Sequence, residues 1–453
     1  YCHVLKQKVM LNRLSKLLIS MLIMLVAVLF VFFFVMFDES TINFSNYSLG
    51  GVLIRTVIFN VIFAFSLISL FYLFTLKRQR KHLPVYLPLF ISGLFLLINI
   101  PFKTNMSGDY LLWVQKLKGQ TLILSFAESL SLLLNKFFYY CANLVIQVNP
   151  KTILVYTGKL MGLLSIFSLF CLINSIKEFS YQRKLLFLIL FSTFGLSALF
   201  FGFPDFAYYP LPFLIFSYLL ALKYIRRDKQ VKLLMAAAFL IVIAGFFHGS
   251  AFFSLPVILL LPILKDKKVL QKRGVYFYLG QYLMIFLTVG ITFSFYFMLV
   301  KWLGFSFAYN TTIGGFDGRQ FISFLPANLH FPHAVNFIEF GYFDFRGWIC
   351  LVSGTFIFLI FLMHLKKQIV IKQSDLILFL YGISQLLIVL FWGFDLGVRD
   401  FDLYITPMTF IHLFFLKTLL ELIRTDSEKT YAWKYILFFA LFSPLYFFVL
   451  QVV

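Results

Sequence analysis

Long apolar runs alternate with short polar connections from one end of the chain to the other. A helix of about 20 apolar residues crosses the hydrocarbon core of a bilayer. On that measure the runs near 17–37, 53–76, 83–101, 152–176, 184–203, 206–225, 232–248, 250–264, 274–301, 346–365, 375–394, 404–422 and 434–452 predict thirteen transmembrane helices. The run at 250–264 is short, which predicts a tilted, broken or partly re-entrant segment. Continuous apolar runs, rather than ten-residue stretches of alternating polarity, exclude a β-barrel. The chain shows no heptad, solenoid repeat or low-complexity linker, so the pattern predicts a single all-α, polytopic transmembrane domain over residues 1–453.

One segment departs from this plan. In 122–147 the polar residues Ser125, Glu128, Ser129, Asn135, Lys136, Asn143 and Gln147 recur close to the helical period. That spacing predicts an amphipathic helix with a wide apolar face, lying between two spans at the membrane surface. The bland alternative is an ordinary packing helix.

Charge adds orientation. Lys and Arg gather in every second connection, at Lys6–Lys16, Lys77–Lys81, Lys177–Lys184, Lys223–Lys232, Lys265–Arg273, Lys366–Lys372 and Arg424–Lys434. Alternation of thirteen spans puts all these clusters on one side. Basic loops stay in the cytoplasm, so the N-terminus is expected inside and the C-terminus outside a plasma (inner) membrane. The balance of 61% hydrophobic and 13% charged residues belongs to no soluble domain. The net charge of +21 follows from topology and contact with anionic lipids, not from nucleic-acid binding. Residues 17–37 lack a small-residue cleavage site and end in Phe37-Asp38-Glu39, which predicts a retained first helix rather than a signal peptide. The chain opens on Tyr1 rather than on Met, which leaves room for residues before it. Cys2, Cys141, Cys171 and Cys350 are scattered and predict neither a disulfide framework nor a metal site. Asn43, Asn46, Asn105 and Asn310 begin sequons on the outer face.

The connections on the non-cytoplasmic face are poor in Lys and carry isolated acids and histidines. The loop 102–151 opens with Ser107-Gly108-Asp109-Tyr110 and continues into the amphipathic segment bearing Glu128. The turn Gly202–Pro210 has Asp205 as its single charge, although a turn uses Pro and Asp for geometry alone. His248 ends the apolar run before Gly249-Ser250, and the loop 302–345 holds Asp317, Arg319, His330, His333, Glu339 and Asp344. Pro332 separates the two histidines of the HFPH stretch from a helical pair, and no third ligand lies nearby, so zinc is not expected. The densest segment is Phe394-Asp395-Leu396-Gly397-Val398-Arg399-Asp400-Phe401-Asp402-Leu403, between two apolar spans. Ionisable groups near the membrane core are costly and line functional cavities. An Arg399–Asp ion pair alone would leave two acids over. Carboxylates suit general-base chemistry, and a single Arg beside an apolar slot suits a phosphate held by bidentate hydrogen bonds. No phosphate-binding loop, dinucleotide fingerprint, HExxH or serine-hydrolase elbow is present.

This layout resembles the GT-C superfamily of membrane glycosyltransferases. The likeness rests on Gly108-Asp109-Tyr110 early in the first large outer loop, the amphipathic helix after it, and many spans with short loops. More narrowly it resembles a bacterial branch with a His at the end of a mid-chain span and a late stretch of the form N-P-x-L-G-x-x-R-D-W-D-L. Here Phe394-Asp395 stands in place of the proline-containing pair, and Phe401 in place of Trp. The resemblance implies transfer of a sugar from a polyprenyl-phosphate-linked donor to a glycan, lipid or protein acceptor, on the non-cytoplasmic face and with inversion. It implies Asp109 as the general base and Arg399 as the holder of the donor phosphate. Asp400 and Asp402 would orient Arg399 or bind sugar hydroxyls, and His248 would make a secondary phosphate or sugar contact. Glu128, Asp205 and Asp395 join these as substrate-binding candidates. Such enzymes need no tightly bound metal, and the Asp-rich loops leave room for a divalent cation, Mg or Mn.

Three other readings remain. A polysaccharide polymerase or ligase would use Arg319, Arg346 and Arg399 on lipid-linked saccharides. A transporter or flippase would show inverted repeats and midplane charges, whereas here the charges cluster at one face. A non-catalytic subunit of an envelope complex would scatter its outer acids. Orientation is open to direct test. Single cysteines placed in 310–320 should react with a membrane-impermeant maleimide on intact cells, and cysteines in 267–270 should react only after lysis. Labelling of 267–270 from outside would overturn the orientation.

Overall fold

The computed structural model describes residues 110–119, 123–124, 128–144, 147–176, 178–179, 183–184, 187, 191, 206–226, 230–265, 267–307, 372–391 and 405–422. All of them belong to one compact unit, Phe102–Ser443; Tyr1–Pro101 and Pro444–Val453 form another. The predicted spans at 17–37, 53–76, 83–101, 346–365 and 434–452, and most of 184–203, lie outside the described residues.

The described unit is helical. In chain order it contains α1 (Tyr110–Lys118), α2 (Ser129–Asn143), α3 (Pro150–Ser175), α4 (Leu211–Arg226), α5 (Val231–Phe247), a 3₁₀ helix (Gly249–Ser254), α6 (Leu255–Lys265), α7 (Lys267–Trp302), α8 (Gln373–Phe391) and α9 (Ile405–Leu422). One two-residue parallel pairing, Ile123–Leu124 with Ser306–Phe307, is added to them. Local chemistry sets the ends. The Asn149 side chain accepts from the Lys151 amide at 3.0 Å and Pro150 opens α3. At the end of α7, Gly304 takes φ 79° and the Phe305 amide reaches back to the Val300 carbonyl at 3.0 Å, a Schellman closure. At the start of α8, the Asp375 carboxylate accepts from the Lys372 amide at 3.3 Å.

Several predicted spans are recovered closely: 152–176 as α3, 232–248 as α5 and 404–422 as α9. The run at 250–264 is broken, as its length suggested, into the 3₁₀ turn and α6. The helix expected from residue 206 begins at Leu211 instead. Phe206–Pro210 folds back on itself, with the Tyr209 amide bonded to the Phe206 carbonyl at 3.0 Å. The run at 274–301 is extended N-terminally, since α7 starts at Lys267 within the basic cluster. Two helices, Pro150–Ser175 and Tyr276–Trp302, are long and apolar enough to cross a membrane.

The helices pack as antiparallel neighbours, α4 against α5 and α8 against α9 most extensively. Side-chain hydroxyls tie them where no apolar stripe could select a partner. The Ser217 hydroxyl on α4 bonds the Ala237 carbonyl of α5 at 2.9 Å and the Tyr381 hydroxyl of α8 at 2.8 Å. Gln385 on α8 donates to Ser254 at 2.9 Å. The α8–α9 crossing is close at Gly382, where an added Cβ would lie 2.7 Å from Ile411 Cγ1 and 3.0 Å from the Pro407 carbonyl oxygen. Gly382→Ala should therefore lower thermal stability in detergent by about 1–3 kcal/mol, the usual cost of overpacking. Gly290→Ala, whose Cβ would meet nothing within 4 Å, should leave the melting temperature in place. Equal melting of the two variants would show that the crossing tolerates a wider separation.

Candidate functional site

Two clusters of polar and ionisable side chains occupy opposite ends of the described bundle. The first is built by α2. Its N-terminal residues Ser129, Ser131 and Asn135 are fully buried. The Ser131 hydroxyl donates to the Phe247 carbonyl at 2.7 Å, which satisfies a C-terminal carbonyl of α5. The Tyr296 hydroxyl of α7 donates to Ser129 at 2.8 Å. These bonds seat the start of α2 on the ends of α5 and α7. They also place Glu128 Oε1 3.8 Å from Nε2 of His248, with both side chains 14% exposed.

His248 lies in the link between α5 and the 3₁₀ helix, outside both. Its Nδ1 is 2.8 Å from the Ser250 hydroxyl. A neutral ring has one donor and one acceptor nitrogen. The arrangement that serves both neighbours puts the proton on Nε2, facing the Glu128 carboxylate, and leaves the Nδ1 lone pair for the Ser250 hydroxyl. At 3.8 Å the Glu128 contact is electrostatic and longer than a hydrogen bond.

Three further contacts define this end. Trp113 of α1, 1% exposed, packs its ring 4.5 Å from that of Phe206. The Thr406 hydroxyl, in the first turn of α9, donates to the Ala207 carbonyl at 2.8 Å. Phe206–Pro210 is buried throughout. Glu128 and His248, distant in sequence, are thus the sequence-selected residues that the structure brings together. Asp109, Asp205, Asp395, Arg399, Asp400 and Asp402 lie outside the described residues, as do Asp317, Arg319, His330, His333, Glu339 and Asp344.

The amphipathic segment needs correction. The expected single helix 122–147 is shorter, Ser129–Asn143, and a separate helix, α1, precedes it. Its polar serines and Asn135 face the bundle, while Phe137, Tyr140 and Leu144 are 60%, 67% and 68% exposed. Periodicity identifies which residues share a face, but the buried hydrogen bonds to Phe247 and Tyr296 decide which face turns inward.

The second cluster lies at the end where the basic cluster Lys366–Lys372 was expected, but its buried Lys417–Asp375 pair has no counterpart in the sequence reading. Lys417 of α9 forms a buried ion pair with Asp375 of α8 and lies 3.3 Å from Glu421 and 3.4 Å from the Ser374 hydroxyl. Lys372 meets Glu421 at 3.0 Å, and the Tyr218 hydroxyl of α4 donates to the Ser374 carbonyl at 3.1 Å. Lys417 and Asp375 side chains are only 7% and 2% exposed. At this end Glu178 is held below the ordinary carboxylate range. Its own backbone hydrogen bond is the main cause; burial opposes it, and the charges of Arg226, Lys372 and Lys417 assist. Elsewhere Lys159 is buried within α3, its ammonium 5.2 Å from the Tyr156 ring centre. The sequence signal was the i,i+4 spacing of Lys417 and Glu421, hidden inside an otherwise apolar run. Among the described residues no group of three or more His, Cys, Asp or Glu could hold a metal ion.

Removing one member of a buried pair strands the other's charge, at about 3–5 kcal/mol, whereas removing both costs much less. Lys417→Met alone should therefore destabilise the folded protein strongly, and Lys417→Met with Asp375→Asn should recover most of the loss. Unfolding in detergent followed by intrinsic fluorescence measures both. Additive losses would mean that the two charges do not depend on each other.

No protein-family model, curated protein or solved structure matches this chain.

Proposed function

We propose that the chain is a polytopic membrane glycosyltransferase of the GT-C type, using a polyprenyl-phosphate-linked sugar on the non-cytoplasmic face. The observation that carries this reading is the meeting of Glu128 and His248 at one end of the bundle. That end also receives the start of α1, which follows Asp109 in sequence, the Phe206–Pro210 turn, which follows Asp205, and the start of α9, which follows Arg399, Asp400 and Asp402. The helix α2 covers it with apolar side chains outward, as a helix lying in a membrane interface does.

Membrane insertion is supported by α7. Leu279, Leu283, Phe286, Leu287, Ile291 and Phe295 are 47–67% exposed along it. A soluble monomer does not leave such a surface to water. Tyr276 and Trp302, 89% and 80% exposed, stand about 39 Å apart along the axis at 1.5 Å per residue, a spacing suited to the two interfacial aromatic belts. Thirteen spans, a cytoplasmic N-terminus and placement in the inner membrane complete this reading.

In the mechanism, Asp109 takes the proton of the acceptor hydroxyl as that oxygen attacks the anomeric carbon. Arg399 neutralises the charge gathering on the leaving phosphate. Asp400 and Asp402 orient Arg399 or bind sugar hydroxyls, and Glu128, His248, Asp205 and Asp395 are further substrate-binding candidates. A divalent cation, Mg or Mn, is compatible with this reading. The transport reading gains from one observation, the broken segment Gly249–Lys265. Flux of lipid-linked sugar across proteoliposomes, without transfer, would favour it.

Two substitutions separate the roles. Asp109→Asn should lower transfer by roughly 10²–10⁴-fold while the lipid-linked sugar still binds. Arg399→Lys keeps the charge but loses the planar fork, and should weaken binding as well as transfer. Bound donor and product are measured together on purified protein. Full transfer by Asp109→Asn would remove that residue as the base.

A further inference from the structure

We infer that Ser250, His248 and Glu128 form a nucleophile–base–acid set that cleaves or transfers a long-chain acyl ester drawn from the lipid phase. One ring nitrogen of His248 lies 2.8 Å from the Ser250 hydroxyl, and the other faces the Glu128 carboxylate at 3.8 Å. This is the general arrangement of an activated serine: a base in hydrogen-bond reach, itself oriented by a third group. Such contacts are looser before substrate binds and tighten with it.

A local turn alone would account for the Ser250 contact, since the two residues are neighbours. It does not account for Glu128. That carboxylate arrives on another helix and is fixed there by the Ser131–Phe247 and Tyr296–Ser129 hydrogen bonds. The His248 and Glu128 side chains remain 14% exposed, sheltered from bulk water but reachable.

The surroundings indicate the substrate class. Phe246 stacks on Tyr296 at 3.8 Å between ring centres and meets Phe293 at 5.1 Å. Phe252, two residues beyond Ser250, stacks on Phe293 at 5.3 Å. Phe293 continues to Phe297, 6.3 Å away and 39% exposed on the apolar surface of α7. A run of aromatic contacts therefore leads from the Ser250 turn to the exposed apolar surface of α7, which points to a long-chain acyl ester as the substrate class.

The step balances without a cofactor. Ser250 Oγ bonds to the acyl carbon and its proton passes to His248 Nδ1. The ester C–O bond breaks, and His248 returns the proton to the departing alkoxide. Glu128 holds the transient imidazolium. Water or an acceptor hydroxyl then attacks the acyl-serine, releasing fatty acid or acylated acceptor and restoring Ser250. This set shares Glu128 and His248 with the glycosyl-transfer reading but does not need Asp109 or Arg399, and an adduct on Ser250 is read independently of sugar transfer.

The test uses the full chain in nanodiscs, treated with a long-chain alkyl fluorophosphonate and with a short-chain one, followed by peptide mapping. A phosphonate adduct should form on Ser250, faster with the long-chain reagent, and Ser250→Ala should abolish it. His248→Ala should slow the adduct by roughly 10²–10⁴-fold, and Glu128→Gln by less. A wild-type chain that melts cooperatively yet gives no adduct on Ser250 overturns the inference. So does an adduct rate unchanged by His248→Ala. If His248→Ala does not fold, Ser250→Cys supplies the comparison. Its thiol should alkylate well below the usual thiolate range near pH 8.5. Glu128→Gln in that background should shift the profile upward, and an unshifted profile counts against the set.

Discussion

Burial of apolar surface drives a soluble fold, but it cannot choose neighbours for helices that are apolar on every side. α5, VKLLMAAAFLIVIAGFF, presents no polar stripe, and lipid tails would satisfy its side chains as well as another helix does. Selection falls to the few places where a hydroxyl finds a carbonyl or a small residue admits a close approach. Ser217 binds α4 to both α5 and α8 through one oxygen. Gln385 and Ser254 fix α8 against the 3₁₀ turn. Gly382 lets α9 come near enough for Ile411 to pack on the backbone. Each such bond is worth little in water, but among apolar helices these contacts set the register on which both clusters depend.

The two ends use polar groups differently. Around Lys417 charges of both signs meet at close range. They close the base of the α8–α9 pair, whose other ends lead into the segment carrying Arg399. Around His248 the groups are fewer, the acid is not in hydrogen-bond contact with the ring, and side chains remain partly reachable. A partly reachable acid and ring, brought together from distant parts of the chain, are where chemistry is sought.

Much of the helical plan was legible because length and hydropathy are one-dimensional properties. α3, α5 and α9 begin and end where composition changes, and Asn149-Pro150 announces a helix start. Three features were not legible for the same reason. Hydropathy averaging buried Lys417 and Glu421 inside a span. Periodicity grouped Ser129 and Asn135 on one face of α2 without revealing that this face points inward. Glu128 and His248 were each visible as isolated ionisable residues, but their meeting needed α2 to dock on α5 and α7. A serine after glycine in an apolar chain, as at Ser250, carries no signal until a histidine is seen beside it.

The length of α7 has a mechanical consequence. Its exposed rings at Tyr276 and Trp302 mark a stretch longer than the roughly 30 Å hydrocarbon layer, and such a helix adapts to a thinner bilayer by tilting. The same helix carries Tyr296, whose hydroxyl holds Ser129 beside Glu128. α7 therefore serves the exposed apolar surface and the Ser129 contact beside Glu128 at once, and a tilt of that helix would act on both.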